Sequence, residues 1–522
     1  MPNHVTHKVT RQIMSDSSTD YDVAILGGGF SGGLLAWVLS ARGMRVLLVE
    51  RDRFGRFAIG ESSTPMADLV MRQLAERHGL PKLHALSTYP TWQRNFPELR
   101  RGMKRGFSYY HHGGVDSGEG VGREFHDECE ASPSASRNSL LVTASPNETW
   151  ADTHWLRSDV DAFFIEQAMD AGANCREHTE VVEAEMGRSV RMTLRERSAG
   201  DDDGTTRRVS ARWIVNASGR FGVLPDSLMK SIGLRRVDDR LRTNTRSVFA
   251  HFRGVKSWTD ELRRTNQLGA DEPFDPDDAA QHHLTDEGWM WMLRLDHGVT
   301  SVGWTQPSGR DPVDWQRYPS LQRMMREAVF DDATPNWISV DRVQRMQLPV
   351  RSGNYIAMPT AVATIDPLHS TGIAHGLIGV ARLADALLSE SSRQSELLQR
   401  YAATVEQELM RIDSLVAMCY RCLRSMPRFE AVSMLYFAAA IGSEEFLVSG
   451  GDVHSPLWFC GVPEFERLIE QTNEQLDQNV TDAGLWEWLR PRLQSFQSAG
   501  LLDPGVRGRY RYTGEAKSSV RD

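Results

Sequence analysis

One segment limits the architecture more than any other: "YDVAILGGGFSGGLLAWVLSARGMRVLLVERD", residues 21 to 52. Val23 to Leu26 is a short apolar run, the pattern of a strand buried on both faces of a parallel sheet. Gly27, Gly29 and Gly32 follow in the spacing G-x-G-x-x-G. An apolar stretch from about Gly33 to Arg42 predicts a helix, and "RVLLVE" predicts a second buried strand ending at Glu50. Gly27 permits a tight turn. Gly29 lets backbone approach a pyrophosphate, and Gly32 lets helix and strand pack closely. The helix N-terminus offers free N–H groups to phosphates, and Glu50 can accept from a ribose hydroxyl. With strand, glycines, helix, strand and acid in register, the segment predicts an α/β chain with a Rossmann-like dinucleotide-binding domain. It does not separate NAD from FAD.

The chain has 522 residues, which at about 150 per domain suggests roughly two to four packed units. A net charge of -9 argues against a general nucleic-acid binder, although "RRGMKR" is locally basic. Five cysteines do not make a disulfide framework. Cys419 and Cys422 form a C-x-x-C in a helical stretch, with no second pair at metal spacing, so they read as buried thiols and no metal site is expected. Residues 1 to 20 are polar, without a signal-peptide core, and are expected to be a disordered lead-in. No uninterrupted run of about 18 apolar residues occurs, so no membrane span is expected and the cytoplasm is the expected location.

Residues 180 to 350 read as strands and turns, including a hairpin whose tip is "DDDG". Residues 115 to 150 read as a mobile loop or lid. From about 391 the pattern turns helical, and the tail after about 503 is polar. The expected layout is a dinucleotide-binding and β-rich module over 21–390, with the dinucleotide domain assembled from about 21–115, 150–225 and 340–390. A β-rich part lies between these segments, and helices follow over 391–522.

Several later motifs keep a family order. "FAIGESSTPMADL" places Gly60, Glu61, Ser62, Ser63, Thr64 and Pro65 before an amphipathic helix. "HWLRSDVDAFF" carries Arg157 and Asp161, and "RWIVNASGR" is an apolar strand ending at Gly219. "GWMWML" sends Trp289 and Trp291 to one face of a strand. "TIDPLHSTGIAHG" holds Asp366, His369, Ser370, Thr371 and Gly372 before a helix. Together these resemble the flavin-dependent halogenases, relatives of the FAD monooxygenases. The resemblance implies FAD bound by Glu61, Ser62, Ser63, Arg157, Gly219, Asp366 and Gly372 beside the glycine turn. It implies a halide at Ser370, Thr371 and Gly372, a site wall of Trp289 and Trp291, and a substrate site on the β-rich part, capped by the helices over 391–522.

The resemblance also gives "GMKRGFSYYHH" a role, because halogenases acting on phenols carry K-x-G-F-(S/T)-(aromatic) there. It implies Lys104 as the halogenating lysine; Lys82, after Pro81 at a polar helix end, is the poorer candidate. Reduced flavin and O2 would form a C4a-hydroperoxide, chloride or bromide would attack it, and the hypohalous acid would pass to Lys104. An ammonium on a flexible stem is a compact donor whose pKa falls on burial. Three positions depart from the family. His369 replaces a glutamate, which disfavours tryptophan as substrate; it is a candidate base for a phenol or a spacer over the flavin. Pro359 and Thr360 replace Gly-Asp, which suits FADH2 delivered by a separate flavin reductase. Arg294 replaces a proline after the tryptophans. The implied function is halogenation of a small electron-rich aromatic, free or carried on an acyl carrier protein. An FAD-dependent monooxygenase or reductase, and an inactive FAD-binding scaffold, are the competing readings.

Overall fold

The computed structural model describes residues 19–114, 122, 124–127, 137–197, 204–219, 224–309 and 314–511. The first sheet is built around the glycine segment. Its strands run in the order Arg351–Ser352, Tyr355–Ala357, Thr205–Asn216, Tyr21–Leu26, Val46–Val49, Asn174–Arg176. The inner pairings are parallel, with Val23 beside Trp213 on one side and beside Val46 on the other. Val23, Ala24 and Ile25 are fully buried, as an apolar run without alternation requires. The helix Phe30–Ala41 covers the sheet, starting earlier than its apolar pattern suggests because Gly29 serves as its N-cap. Val190–Glu196 and Thr205–Asn216 form the expected hairpin. Its acidic tip lies outside the described residues, as does most of the polar lead-in.

The second sheet is mainly antiparallel and has nine strands. Its centre is Thr245–Arg253, Val299–Pro307, Trp289–Arg294 and Ala279–Leu284. It then takes in Gly106–His111, Ser139–Thr143 and Arg509–Tyr510. Part of the segment expected to be a lid is thus a core strand: all five residues of Ser139–Thr143 are buried, and pairing with Gly106–His111 fixes them. The rest of that segment includes residues 115–121, 123 and 128–136, which lie outside the described residues. Arg101–Lys104 forms a separate two-stranded ladder with Asp152–Trp155.

The C-terminal helices are Ser391–Arg421, Met426–Val448, Pro463–Asp477 and Asp482–Leu493. The apolar core of the first sheet is continuous with these helices. Met426–Val448 spans 23 residues and is long and apolar enough to cross a membrane by length and composition, although no unbroken apolar run announces it. In the fold it is a core helix, with 72% of its most apolar window buried.

Candidate active site

The glycine turn has the geometry its residue types require. Gly27 has φ +114°, and an added Cβ would stand 2.5 Å from the Ala217 carbonyl oxygen. A Cβ on Gly32 would meet the Gly27 carbonyl oxygen at 2.1 Å, so the helix could not start where it does. At Gly29 an added Cβ meets only Arg157 and Asp161 side-chain atoms at 3.8 Å. The Gly28 amide donates to Glu50 Oε2 at 2.8 Å, and the Asp52 amide donates to Oε1 at 3.0 Å. Glu50 thus braces the turn, and the cavity described next does not include it.

That cavity, of about 390 Å³, lies between the two sheets. Of the expected residues its wall includes Gly29, Glu61, Ser62, Arg157, Gly219, Asp366, Ser370, Gly372, Trp289 and Trp291. Gly27, Gly32, Ser63, Lys104, His369 and Thr371 lie outside the wall. Arg157 opens the helix Arg157–Asp170 and is clamped by Asp161 one turn on, both bonds at 2.9 Å. Its remaining nitrogen donates to the Ile59 and Gly60 carbonyls at 2.9 and 3.2 Å, fixing the Glu61 segment. The Trp289 and Trp291 rings lie 5.8 Å apart, their N–H groups donating to Tyr420 and Ser301. Open space lies beside Gly219 and Gly372: among the described residues, chain neighbours aside, no atom comes within 4 Å of an added Cβ. A glycine-lined turn, an open helix start at Gly372 and aromatic walls fit a flavin dinucleotide.

Lys104 ends its strand and is completely buried. Its Nζ donates to the Ser63 carbonyl at 2.5 Å and sits 3.8 Å from the centre of the Phe107 ring. Glycines on either side permit this. A Cβ at Gly102 would stand 1.9 Å from the Arg294 carbonyl oxygen, and one at Gly106 would stand 2.4 Å from that of Val142. His154 and His282 lie near the ammonium. Burial, with the Lys104 charge contributing, lowers both to about 3, so both imidazoles are neutral. Lys82 instead donates to Gln167.

A second, smaller cavity of about 50 Å³ is lined by the chain from Thr64 to Met66. Thr64, Phe107, Thr143, Tyr436, Phe437, Glu444 and Trp458 are among its lining residues. Ser62 therefore faces the first cavity, Thr64 faces the second, and Ser63 between them receives the lysine.

The segment after Asp366 is held by residues that the sequence reading did not single out. Asp366 Oδ2 accepts from Thr245, Gln344 and Tyr420, and burial raises its carboxyl to about 6. Ser370 has φ +55°, and the 17-residue helix Thr371–Leu387 starts there. Thr371 Oγ1 lies 2.5 Å from the Tyr436 hydroxyl. His369 stacks on Tyr436 at 4.3 Å, with Nδ1 2.9 Å from the Tyr109 hydroxyl and Nε2 3.5 Å from Cys419 Sγ. Like Lys104, it is not among the lining residues of either cavity, and its ring packs under Tyr436. Further along the helix, His375 lines the first cavity and bonds Glu408 at 3.0 Å. Glu408 is chelated by Arg382 through two bonds of 2.8 Å, all three side chains being buried. Charged residues on apolar helical stripes are the sequence signal for this network.

A Rossmann-like sheet whose glycine turn leads to a tryptophan-walled cavity shared with a second sheet defines a flavin-dependent α/β enzyme. The family model described as tryptophan halogenase matches residues 22–426. The chain belongs to that family; it is an FAD-dependent halogenase by membership. The tetracycline 7-halogenase of Kitasatospora aureofaciens is 25% identical over 516 residues, covering 90% of this chain and 86% of the relative. The monodechloroaminopyrrolnitrin halogenase PrnC of Pseudomonas fluorescens is 26% identical, covering 81% and 72%. The solved structure of halogenase PltM in complex with phloroglucinol and FAD superposes with a TM-score of 0.76 at 21% identity, covering 93% and 98%. That likeness speaks to the fold.

Proposed function

We propose that this enzyme chlorinates or brominates an electron-rich phenol, with Lys104, buried against the segment whose neighbouring residues line the two cavities, delivering the halogen. One observation carries the reading: the Lys104 ammonium is bonded to Ser63, the residue between one that faces the first cavity and one that faces the second. In this reading the glycine turn, Arg157 and the Glu61–Ser63 segment hold FAD in the first cavity. Reduced FAD and O2 supply the oxidising equivalent that converts halide to hypohalous acid. Ser370, Thr371 and Gly372 place the halide at a helix N-terminus, where the first-turn N–H groups and the dipole favour an anion. Trp289 and Trp291 exclude water. Lys104 would then either hold hypohalous acid by a hydrogen bond or, as the neutral amine, exchange an N–H for an N–halogen bond with release of water; the aromatic ring would take the halogen and give up its proton, restoring the amine.

The second cavity has an aromatic lining suited to a ring, but at about 50 Å³ it must widen to admit a phenol. Phe107, Tyr436, Phe437 and Trp458 offer ring faces, and Thr143 and Glu444 are its polar contributions from the outer side. A phenol needs no additional carboxylate at residue 369 to activate its ring, which agrees with a histidine at that position. A single dinucleotide turn in the sequence supports delivery of FADH2 by a separate reductase.

The test supplies the purified protein with FADH2 from a separate reductase, bromide and a panel of phenols. Mass spectrometry should detect brominated product. Lys104→Met keeps the volume and removes the amine; it should abolish product at least ~100-fold while flavin oxidation continues and diffusible hypohalite appears. Hydroxylated product without halogen would sink the reading in favour of a monooxygenase, and absence of flavin turnover would favour an inactive scaffold.

A further inference from the structure

Residues 56 to 61 form neither helix nor strand, yet the wall of the first cavity includes Arg56 through Ser62 without interruption. Among the described residues, its backbone carbonyls are held from the side of the helix that Arg157 opens. Arg157 reaches the Ile59 and Gly60 carbonyls, and the Trp155 amide donates to the Glu61 carbonyl at 2.6 Å. On the other side the contact is made by side chains. Glu61 Oε1 lies 2.9 Å from Nε2 of His251, which is in the strand Thr245–Arg253 of the second sheet. Both side chains are 1% exposed. The Phe57 ring packs on the same imidazole, with centroids 4.9 Å apart. His251 Nδ1 is buried and meets no acceptor among the described residues, so Glu61 is the polar partner of that ring.

We propose that His251 is a positioning residue for the cofactor: as the imidazolium it holds Glu61, and through Glu61 the 56–62 segment, so that FAD retention rises and falls with the charge on His251. A buried carboxylate without a cation is strongly disfavoured, so losing the positive charge frees the segment from the second sheet. The charged groups facing His251 are Glu61, Asp331 and Arg100. Burial disfavours the imidazolium, Glu61 and Asp331 favour it, Arg100 opposes it, and the net direction is upward from 6.5. Asp331 itself is paired with Arg253 and donates its amide to the His251 carbonyl. The sign follows. The contribution is complete below 6.5 and is lost as pH rises through the higher folded value.

The inference rests on reading the first cavity as the flavin site. Quenching of oxidised FAD fluorescence by the full chain, measured between pH 6 and 9, tests it without turnover. The wild-type protein should bind more weakly as pH rises, with a step that is absent from His251→Asn and Glu61→Gln. At pH 6 each variant should bind roughly ten-fold more weakly, and the double variant no more weakly than either single one. Far-UV circular dichroism checks each fold, and the wild-type profile stands without any variant. Wild-type binding that is flat across this range, or His251→Asn binding that matches wild type at pH 6, would overturn the inference alone. No FAD binding at any pH would overturn the cofactor reading and this inference with it.

Discussion

Glu408→Gln tests whether the buried network behind the first cavity sets stability. Burial alone would raise the Glu408 carboxyl. The Arg382 guanidinium and the hydrogen bonds from Arg382 and His375 outweigh it and lower the group from 4.5 to about 2. A shift of that size corresponds to ~3 kcal/mol of favourable interaction. Glutamine keeps the shape but leaves the Arg382 charge buried without its counter-ion. The expected cost is therefore about 3–5 kcal/mol. Urea titration followed by the fluorescence of the 14 tryptophans measures it. Because the folded value is depressed, the contribution is present above 4.5 and disappears as pH falls toward about 2, so wild type and variant should converge in acid. Replacing both partners, Arg382→Met with Glu408→Leu, should cost less than either single change, since no charge is stranded. A cost under ~1 kcal/mol at pH 7, the size of an exposed pair, would refute this account. The functional arm is binding: His375 lines the cavity and is bonded to Glu408, so the variant should also hold FAD more weakly.

Two further substitutions separate backbone approach from open space. Gly32→Ala places a methyl 2.1 Å from a backbone oxygen and should abolish FAD binding or solubility. Gly219→Ala meets no atom of the described residues within 4 Å and should fold, at ~1–2 kcal/mol for its φ of +61°, in an equilibrium unfolding titration. Equal damage from both would contradict the packing argument. Asp366→Asn addresses pH. Burial raises this acid from 3.8 to about 6, so the folded state keeps a proton that the unfolded chain releases. Wild-type stability should fall by ~3 kcal/mol relative to the asparagine variant as pH rises from about 4 to about 6, and parallel stability curves would count against it.

The features legible in the sequence are the local ones. The glycine turn, the paired tryptophans on one strand face and the Arg157–Asp161 clamp depend on spacings within a single element, which periodicity and residue type encode directly. Pairings between distant segments carry no such signal. Thr371 meets Tyr436, Glu61 meets His251 and Lys104 pairs across its ladder with Asp152, each partner far away in the chain. Ser139–Thr143 could not be recognised as a core strand because its neighbours in the sequence are polar and its burial comes from Gly106–His111 and Arg509–Tyr510. Arg382 and Glu408 gave a partial signal, since a charge on a buried helical face demands a partner, but not the identity of that partner.

The same distinction accounts for the departure at Arg294, where the family pattern has proline. The carbonyl of residue 294 is what the lysine strand meets, through the missing Cβ of Gly102, and every residue type supplies a carbonyl. The Arg294 side chain points elsewhere: its Nε donates to Asp277 at 2.8 Å, and its terminal nitrogens reach the Val255 and Lys256 carbonyls. The replacement therefore adds an outer tether while leaving the approach to Lys104 intact. The constraint at that point falls on Gly102. Gly102→Ala should displace the lysine strand, whereas Arg294→Pro should remove only the tether. A halogenation assay in which the proline variant lost activity and the alanine variant kept it would reverse the assignment.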